Sequence, residues 1–117
     1  MANAFKVITR DVCPASAGTP ETLYTVQSGS TIVVLGLNLA NVHTAQVTAS
    51  VTLVSTTTQT SQTQNTTAYI IKDAPIPSGS TLAVLDGKII LNVNDVIKID
   101  CSVADKISAT MSYMEQT

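Results

Sequence analysis

The chain has 117 residues and a formal net charge of −2, and only 12% of its residues are charged, against about 25% in ordinary soluble domains. That length fits one domain able to bury a core without disulfide staples. So weak a charge offers no field to nucleic acid or to an anionic membrane. Hydrophobic residues make up 44% but aromatics only 3%, namely Phe5, Tyr24, Tyr69 and Tyr113, while serine and threonine supply a quarter of the chain. A β-branched, hydroxyl-rich composition favours strands and argues against a coiled coil or helical bundle.

Short strand signals alternate with turn residues along the chain, the spacing of a sandwich or barrel. Residues 5–9 form a first strand, and residues 11–20, rich in Pro, Gly and small side chains, read as a loop. Residues 22–26 form a second strand. Residues 31–39 are the most apolar stretch and are expected to be buried on both faces. In residues 46–54, Val47, Ala49, Val51 and Leu53 alternate with Thr48, Ser50 and Thr52, the pattern of a half-buried antiparallel strand. Residues 55–67 hold neither an apolar side chain nor a charge. They read as a hairpin tip or as a polar arm that pairs with another chain.

A strand resumes over residues 68–72. Residues 73–80 are expected to be a connection, because Pro75 and Pro77 cannot donate ladder hydrogen bonds. Two apolar runs, 81–85 and 88–91, flank Asp86-Gly87, the signature of a two-residue hairpin with φ > 0 at both turn positions. Asn94-Asp95 turns into a strand over 96–103, and Ala104-Asp105 into a last strand over 107–114. The pattern predicts an all-β fold, a single antiparallel β-sandwich of about eight strands, jelly-roll or Ig-like, spanning residues 1–117 with a polar arm near 55–67. Val33, Leu35, Leu37, Ile70, Ile90, Ile97 and Ile99 are the expected core between the sheets.

Groups able to do chemistry are scarce. His43 is the sole histidine, and the nearest acids in sequence are Glu21 and Asp73. A surface histidine in the Asn41-Val-His-Thr bend is the simpler reading than a catalytic one. Asp95, Asp100 and Asp105 recur every five residues, but Lys98 and Lys106 lie beside them. A calcium site needs several oxygens converging from one loop, so these acids are expected to be solvated. No glycine-rich phosphate loop occurs. The six basic residues are scattered singly with no interleaved aromatics, which disfavours single-strand nucleic-acid binding. No catalytic, cofactor-binding or metal-ligating residue is assigned, and no enzyme activity is expected.

The opening residues contain no apolar core of a signal peptide, and no run approaches the ~20 apolar residues of a membrane span. Synthesis and retention in a reducing compartment are therefore expected. Cys13 and Cys101 could form one disulfide, but such a compartment disfavours it. Cys101 falls in register with Ile97, Ile99 and Val103 and reads as a small core residue. Cys13, just before Pro14, is expected in a loop.

Several segments occur in a telling order: Leu23-Tyr-Thr-Val26, Thr31-Ile-Val-Val-Leu-Gly-Leu-Asn-Leu-Ala-Asn41, and Tyr69-Ile-Ile-Lys-Asp-Ala-Pro-Ile-Pro-Ser-Gly-Ser80. Asp86-Gly-Lys-Ile-Ile-Leu91 and Asn94-Asp-Val-Ile-Lys98 follow. Together they resemble the small all-β virion structural proteins of tailed bacteriophages, particularly those of cyanobacterial and other aquatic hosts. The resemblance spans residues 23–114, and its most specific piece is Lys72-Asp-Ala-Pro-Ile-Pro-Ser-Gly79. It departs from the family pattern at Gln27-Ser28, where Pro-Ala is commoner, and in the long Ser/Thr/Gln tract. The resemblance implies a capsid-decoration, neck or tail subunit, assembled in the host cytoplasm and working by symmetric assembly. It implies a homo-oligomer, a trimer if it decorates a capsid, among other virion proteins, with no cofactor, nucleic acid or membrane as partner. The alternative is a glycan- or receptor-binding module of a fibre. Sugar binding usually wants exposed aromatics, and core packing is expected to account for Tyr69 and Tyr113.

Overall fold

The computed structural model describes residues 2–55 and 66–117. These form nine strands: β1 (Asn3–Cys13), β2 (Glu21–Thr25), β3 (Thr31–Asn41), β4 (Val47–Val54), β5 (Thr67–Ile76), β6 (Thr81–Ala83), β7 (Ile89–Leu91), β8 (Val96–Cys101) and β9 (Ile107–Gln116). Every pairing is antiparallel, and the pairs nest. β4 pairs with β5, β3 with β6 and β7, β2 with β8, and β1 with β9. The first sheet runs β1-β9-β3-β6 with β7 also on β3, and the second runs β2-β8-β4-β5.

β6 lies opposite residues 38–40 of β3, and β7 lies opposite residues 32–34. They are two halves of one interrupted edge strand. Counted that way, eight strands nest as a long hairpin rolled into two sheets, which is a jelly roll rather than the Ig-like alternative.

The core between the sheets is aliphatic. Ile32, Leu39, Val51, Leu91, Ile107 and Met111 are fully buried. Each such side chain contributes roughly 1.5–3 kcal/mol when taken out of water. Tyr24 on β2 and Tyr113 on β9 meet across the sheets, with ring centroids 5.1 Å apart and planes tilted by 42°.

Leu37, Ile97 and Ile99 are buried as expected, but the rest of the proposed core is not. Leu35 and Ile90 are exposed, at 40% and 62%, while Val33 and Ile70 are only half-buried. The reason lies in β3. Its register against β9 shifts between Val34 and Gly36, so Leu35 is the extra residue of a bulge. Ile32 and Val34 point inward before the bulge, and Leu37, Leu39 and Asn41 after it. β3 is therefore buried on one face rather than both.

Asp86-Gly87 is not a two-residue hairpin. β6 and β7 do not pair with each other, because both pair with β3. The residues between them loop out, anchored by the Val84 amide on the Leu37 carbonyl at 2.9 Å, beside the bulge. The left-handed backbone positions are instead Asp73, Asn94 and Asp105 with Gly18, Gly29 and Gly79.

β1 runs through to Cys13, which is 2% exposed and not in a loop; its thiol donates to the Ile107 carbonyl at 3.5 Å. β5 continues to Ile76 and carries Pro75 opposite Thr48. It is the edge strand of its sheet, so the missing proline N–H breaks no ladder bond. Cys101 is buried as expected, and both cysteines are free thiols. Most of the expected polar arm, residues 56–65, lies outside the described residues. At its base Val54 pairs with Thr67.

Candidate functional site

The two sheets present different outer surfaces. On the second sheet, β8, β4 and β5 bring Asp100, Ser50 and Asp73 side by side, because Ser50 lies opposite Asp100 and hydrogen-bonds to Asp73. Thr48, Ser102 and the Ala17-Gly18 turn complete a groove of about 370 Å3.

The polar groups of this groove serve the fold. The Asp100 Oδ1 accepts the amides of Gly18 at 3.0 Å and Cys101 at 2.8 Å. Ser50 Oγ accepts the Asp73 amide at 2.9 Å and donates to Asp73 Oδ1 at 3.4 Å. That pair holds Asp73 in its left-handed conformation at φ 49°. Ser102 Oγ accepts the Thr48 amide at 3.0 Å. Asp100 Oδ1, Ser50 Oγ and Ser102 Oγ each hold a backbone donor, while Asp73 Oδ1 accepts from the Ser50 hydroxyl. The groove can offer a ligand hydrogen bonds. No group of three or more His, Cys, Asp or Glu among the described residues is placed to hold a metal ion.

His43 lies in the bend after β3, away from the groove residues, and is half-buried. Its amide donates to Asn41 Oδ1 at 2.7 Å, and its carbonyl accepts the Ser78 hydroxyl at 2.7 Å. Asn41 organises this bend and was not singled out from the sequence. It is 2% exposed, and its Nδ2 donates to the carbonyls of Ala45 and Ile76 at 3.0 and 2.8 Å. An asparagine that ends an apolar strand before a bend is the available signal.

The three recurring aspartates separate. Asp105 is exposed and Asp100 half-buried, but Asp95 is 2% exposed, against the expectation that all three are solvated. Its Oδ2 accepts the Asn92 amide at 3.0 Å and its Oδ1 accepts the Ser55 hydroxyl at 3.1 Å. Its backbone also exchanges with Val26 and Asn92. The carboxylate is a turn-forming device, with its charge met by donors.

Two ion pairs tie β1 to its neighbours: Lys6 to Glu115 at 2.7 Å, and Arg10 to Glu21. The hydrogen bond to Lys6 holds the Glu115 carboxyl below its ordinary range. Burial, with a smaller contribution from the Glu21 carboxylate, pushes the Cys13 thiol up to about 11. Burial likewise pushes the Tyr24 phenol up to about 12. A thiol so raised is a poor nucleophile at neutral pH.

The first sheet is different on its outside. Phe5, Met114, Val33 and Ile90 form one row across β1, β9, β3 and β7, since Phe5 pairs with Met114, Met114 with Val33, and Val33 with Ile90. Phe5 is 76% exposed. Val7 and Leu35 stand beside the row and are exposed too.

Tyr69 is also exposed, at 58%, and not packed in the core as expected; Lys72 Nζ sits 5.2 Å from its ring centroid. No helix among the described residues is long and apolar enough to cross a membrane. No known protein family matches the chain, and no curated protein matches it.

Proposed function

We propose that the chain is a structural component of a tailed-phage virion, a capsid-decoration, neck or tail subunit that works by assembling with copies of itself and with other virion proteins in the host cytoplasm. The observation that carries this reading is the partition of the surface. Most of the exposed large apolar side chains, namely Phe5, Val7, Val12, Leu35 and Ile90, lie on one sheet, while Ser50, Ser102 and Asp100 in the groove of the other hold backbone amides. A particle part acts through such faces and needs no catalytic cleft. The segments that resemble phage virion proteins support it independently, and jelly rolls serve as capsid domains. The reading assigns no catalysis to His43.

Jelly rolls also serve as lectin domains, and fold does not decide function. The exposed Tyr69 favours a second reading, a glycan-binding fibre module, because an aromatic face can stack on a sugar ring. Mass spectrometry of purified particles, followed by particle reconstruction, tests the first reading: the chain is expected at fixed, symmetric positions. Its absence from purified particles refutes that reading. A glycan array on which Tyr69→Ala abolishes a specific signal favours the second.

A further inference from the structure

We infer that the outer face of the β1-β9-β3-β6/β7 sheet is a self-association surface, which packs against the same face of a second copy of this chain. The inference deepens the proposed assembly role and rests on it in treating the chain as a subunit that works by assembly.

Three observations point to a second copy. The first is the row itself. Phe5, Met114, Val33 and Ile90 sit side by side on four adjacent strands, with Phe5 and Ile90 at its two ends exposed at 76% and 62%. Isolated exposed apolar residues are ordinary, but a contiguous row marks an interaction surface.

The second is charge. The flanking rows on the same face are Asn3, Gln116 and Thr31 on one side, and Thr9, Thr110 and Asn38 beyond Val7 on the other. None is charged. Of the charged side chains of β1 and β9, Lys6, Arg10 and Glu115 alternate onto the opposite side of these strands, where Lys6 and Glu115 pair with each other and Arg10 pairs with Glu21; the exposed Asp11, two residues past Thr9 at the end of β1, and Lys88, two before Ile90, follow this face's alternation at its margins. The apolar row and the rows named beside it carry no charge and meet their own copy with no like-charge penalty. Those rows also give nothing to a phosphate backbone, an anionic headgroup or a basic partner.

The third is size. β1, β9 and β3 hold 11, 10 and 11 residues. At about 3.3 Å per residue and about 4.8 Å between strands, the four-strand face measures roughly 35 by 19 Å, or about 650 Å2. A stable interface takes about 600–1,000 Å2 from each partner, so a face of this size lies at the lower end of what a pair needs. A face that meets itself implies a two-fold axis. The apolar row, near one end of the strands, forms the apolar part of the contact, and the Asn, Gln, Ser and Thr rows form its polar surround.

The test is the mass in solution at micromolar concentration, by light scattering and sedimentation equilibrium. The wild type is expected at twice the chain mass of 12.2 kDa. Phe5→Glu and Ile90→Lys, made separately, are expected at the chain mass. Each puts an unpaired charge into the apolar row on which the pairing rests and weakens association on the order of a hundredfold or more. Tyr69→Glu, on the other sheet, is expected to stay paired. Circular dichroism checks that each variant is folded; should one not fold, the milder Ile90→Ser replaces it, with the same expectation. A monomeric wild type overturns the inference, as does a pair or trimer that survives both charge substitutions. A monomeric wild type that binds purified particles through Phe5 would also overturn it, assigning the face to another virion protein and leaving the virion reading standing. Conversely, absence from particles with an intact two-fold pair would remove the virion reading and leave this inference standing.

Discussion

The bulge in β3 makes Leu35 and Leu37 a sharp internal comparison. The two residues have the same side chain and lie two apart in one strand. In a regular strand they share a face, and both would be core or both would be surface. The register shift between Val34 and Gly36 separates them, leaving Leu37 at 2% exposure and Leu35 at 40%. Leu37→Ala removes three buried carbon groups, worth about 2.4 kcal/mol at ~0.8 kcal/mol each. The unfilled cavity adds to this, for a total of about 3–4 kcal/mol. Leu35→Ala strips side-chain area that is already partly in water and should cost no more than about 1 kcal/mol. In a chain of this length each kcal/mol lowers the melting temperature by about 4 °C. Leu37→Ala is therefore expected to melt roughly 12–16 °C below wild type, and Leu35→Ala within about 4 °C of it. Urea unfolding gives the same comparison free of scan-rate effects, with a midpoint shift of about 2 M for Leu37→Ala at a typical urea dependence. Because Leu35 lies on the proposed pairing face, each variant is measured at two protein concentrations, which separates association from folding stability. Equal losses for the two variants would mean that β3 has no bulge and that the inward set of this strand is wrong.

Other expectations follow from the same geometry. Asp95→Ala leaves the part-buried Asn92 amide without its carboxylate acceptor and is expected to cost about 1–3 kcal/mol in urea unfolding; a neutral result would remove the turn-forming role of Asp95. Gly79 sits at φ +75° while Gly87 has an ordinary φ and open space where a Cβ would go. Gly79→Ala should therefore lose about 1 kcal/mol, and Gly87→Ala should be neutral or slightly stabilising; the reverse order in thermal melts would restore the hairpin at Asp86-Gly87. The Cys13 thiol is raised from 9.0 to about 11, so the folded state holds this proton more tightly than the unfolded chain. Its contribution to stability is complete below pH 9.0 and is lost as pH climbs through about 11. Urea midpoints measured from neutral pH upward should fall across that window, and Cys13→Ala should flatten the fall; an unchanged profile in the variant would show that Cys13 is not its source. The raised Tyr24 phenol acts in the same direction at higher pH.

Much of the architecture was readable one strand at a time. The period-two alternation of β4 and β9 sorted Val47, Ala49, Val51 and Leu53, and Ile107, Ala109, Met111 and Tyr113, onto one face of each strand; all are buried save the half-buried Leu53, but β4 is not half-buried as expected, since Ser50 and Thr52 on its other face are buried too. Scarce aromatics and plentiful β-branched residues excluded helices, and Asn94 reads as a turn residue whatever lies around it. These are local properties: a strand's alternation and a turn's backbone angles depend on near neighbours along the chain.

Four features depended on which strands lie beside which. Pro75 appeared to end β5, but an edge strand tolerates a missing donor, and edge position is a property of the sheet. Asp86-Gly87 looked like a hairpin, yet β3 is long enough to take both flanking strands as partners, so the dipeptide bridges two halves of one edge. The β3 bulge inverted the expected inward set, because a one-residue shift exchanges the faces of everything beyond it. Asp95, apparently one of three surface acids, became buried when the chain folded Val26, Asn92 and Ser55 around it. The row Phe5–Met114–Val33–Ile90 lies furthest from the reach of sequence. Its four residues come from distant parts of the chain and form a surface only through long-range strand register. Alternation sorts residues into two faces within a strand, but only tertiary pairing decides which of those faces meets the core and which neighbours share the other.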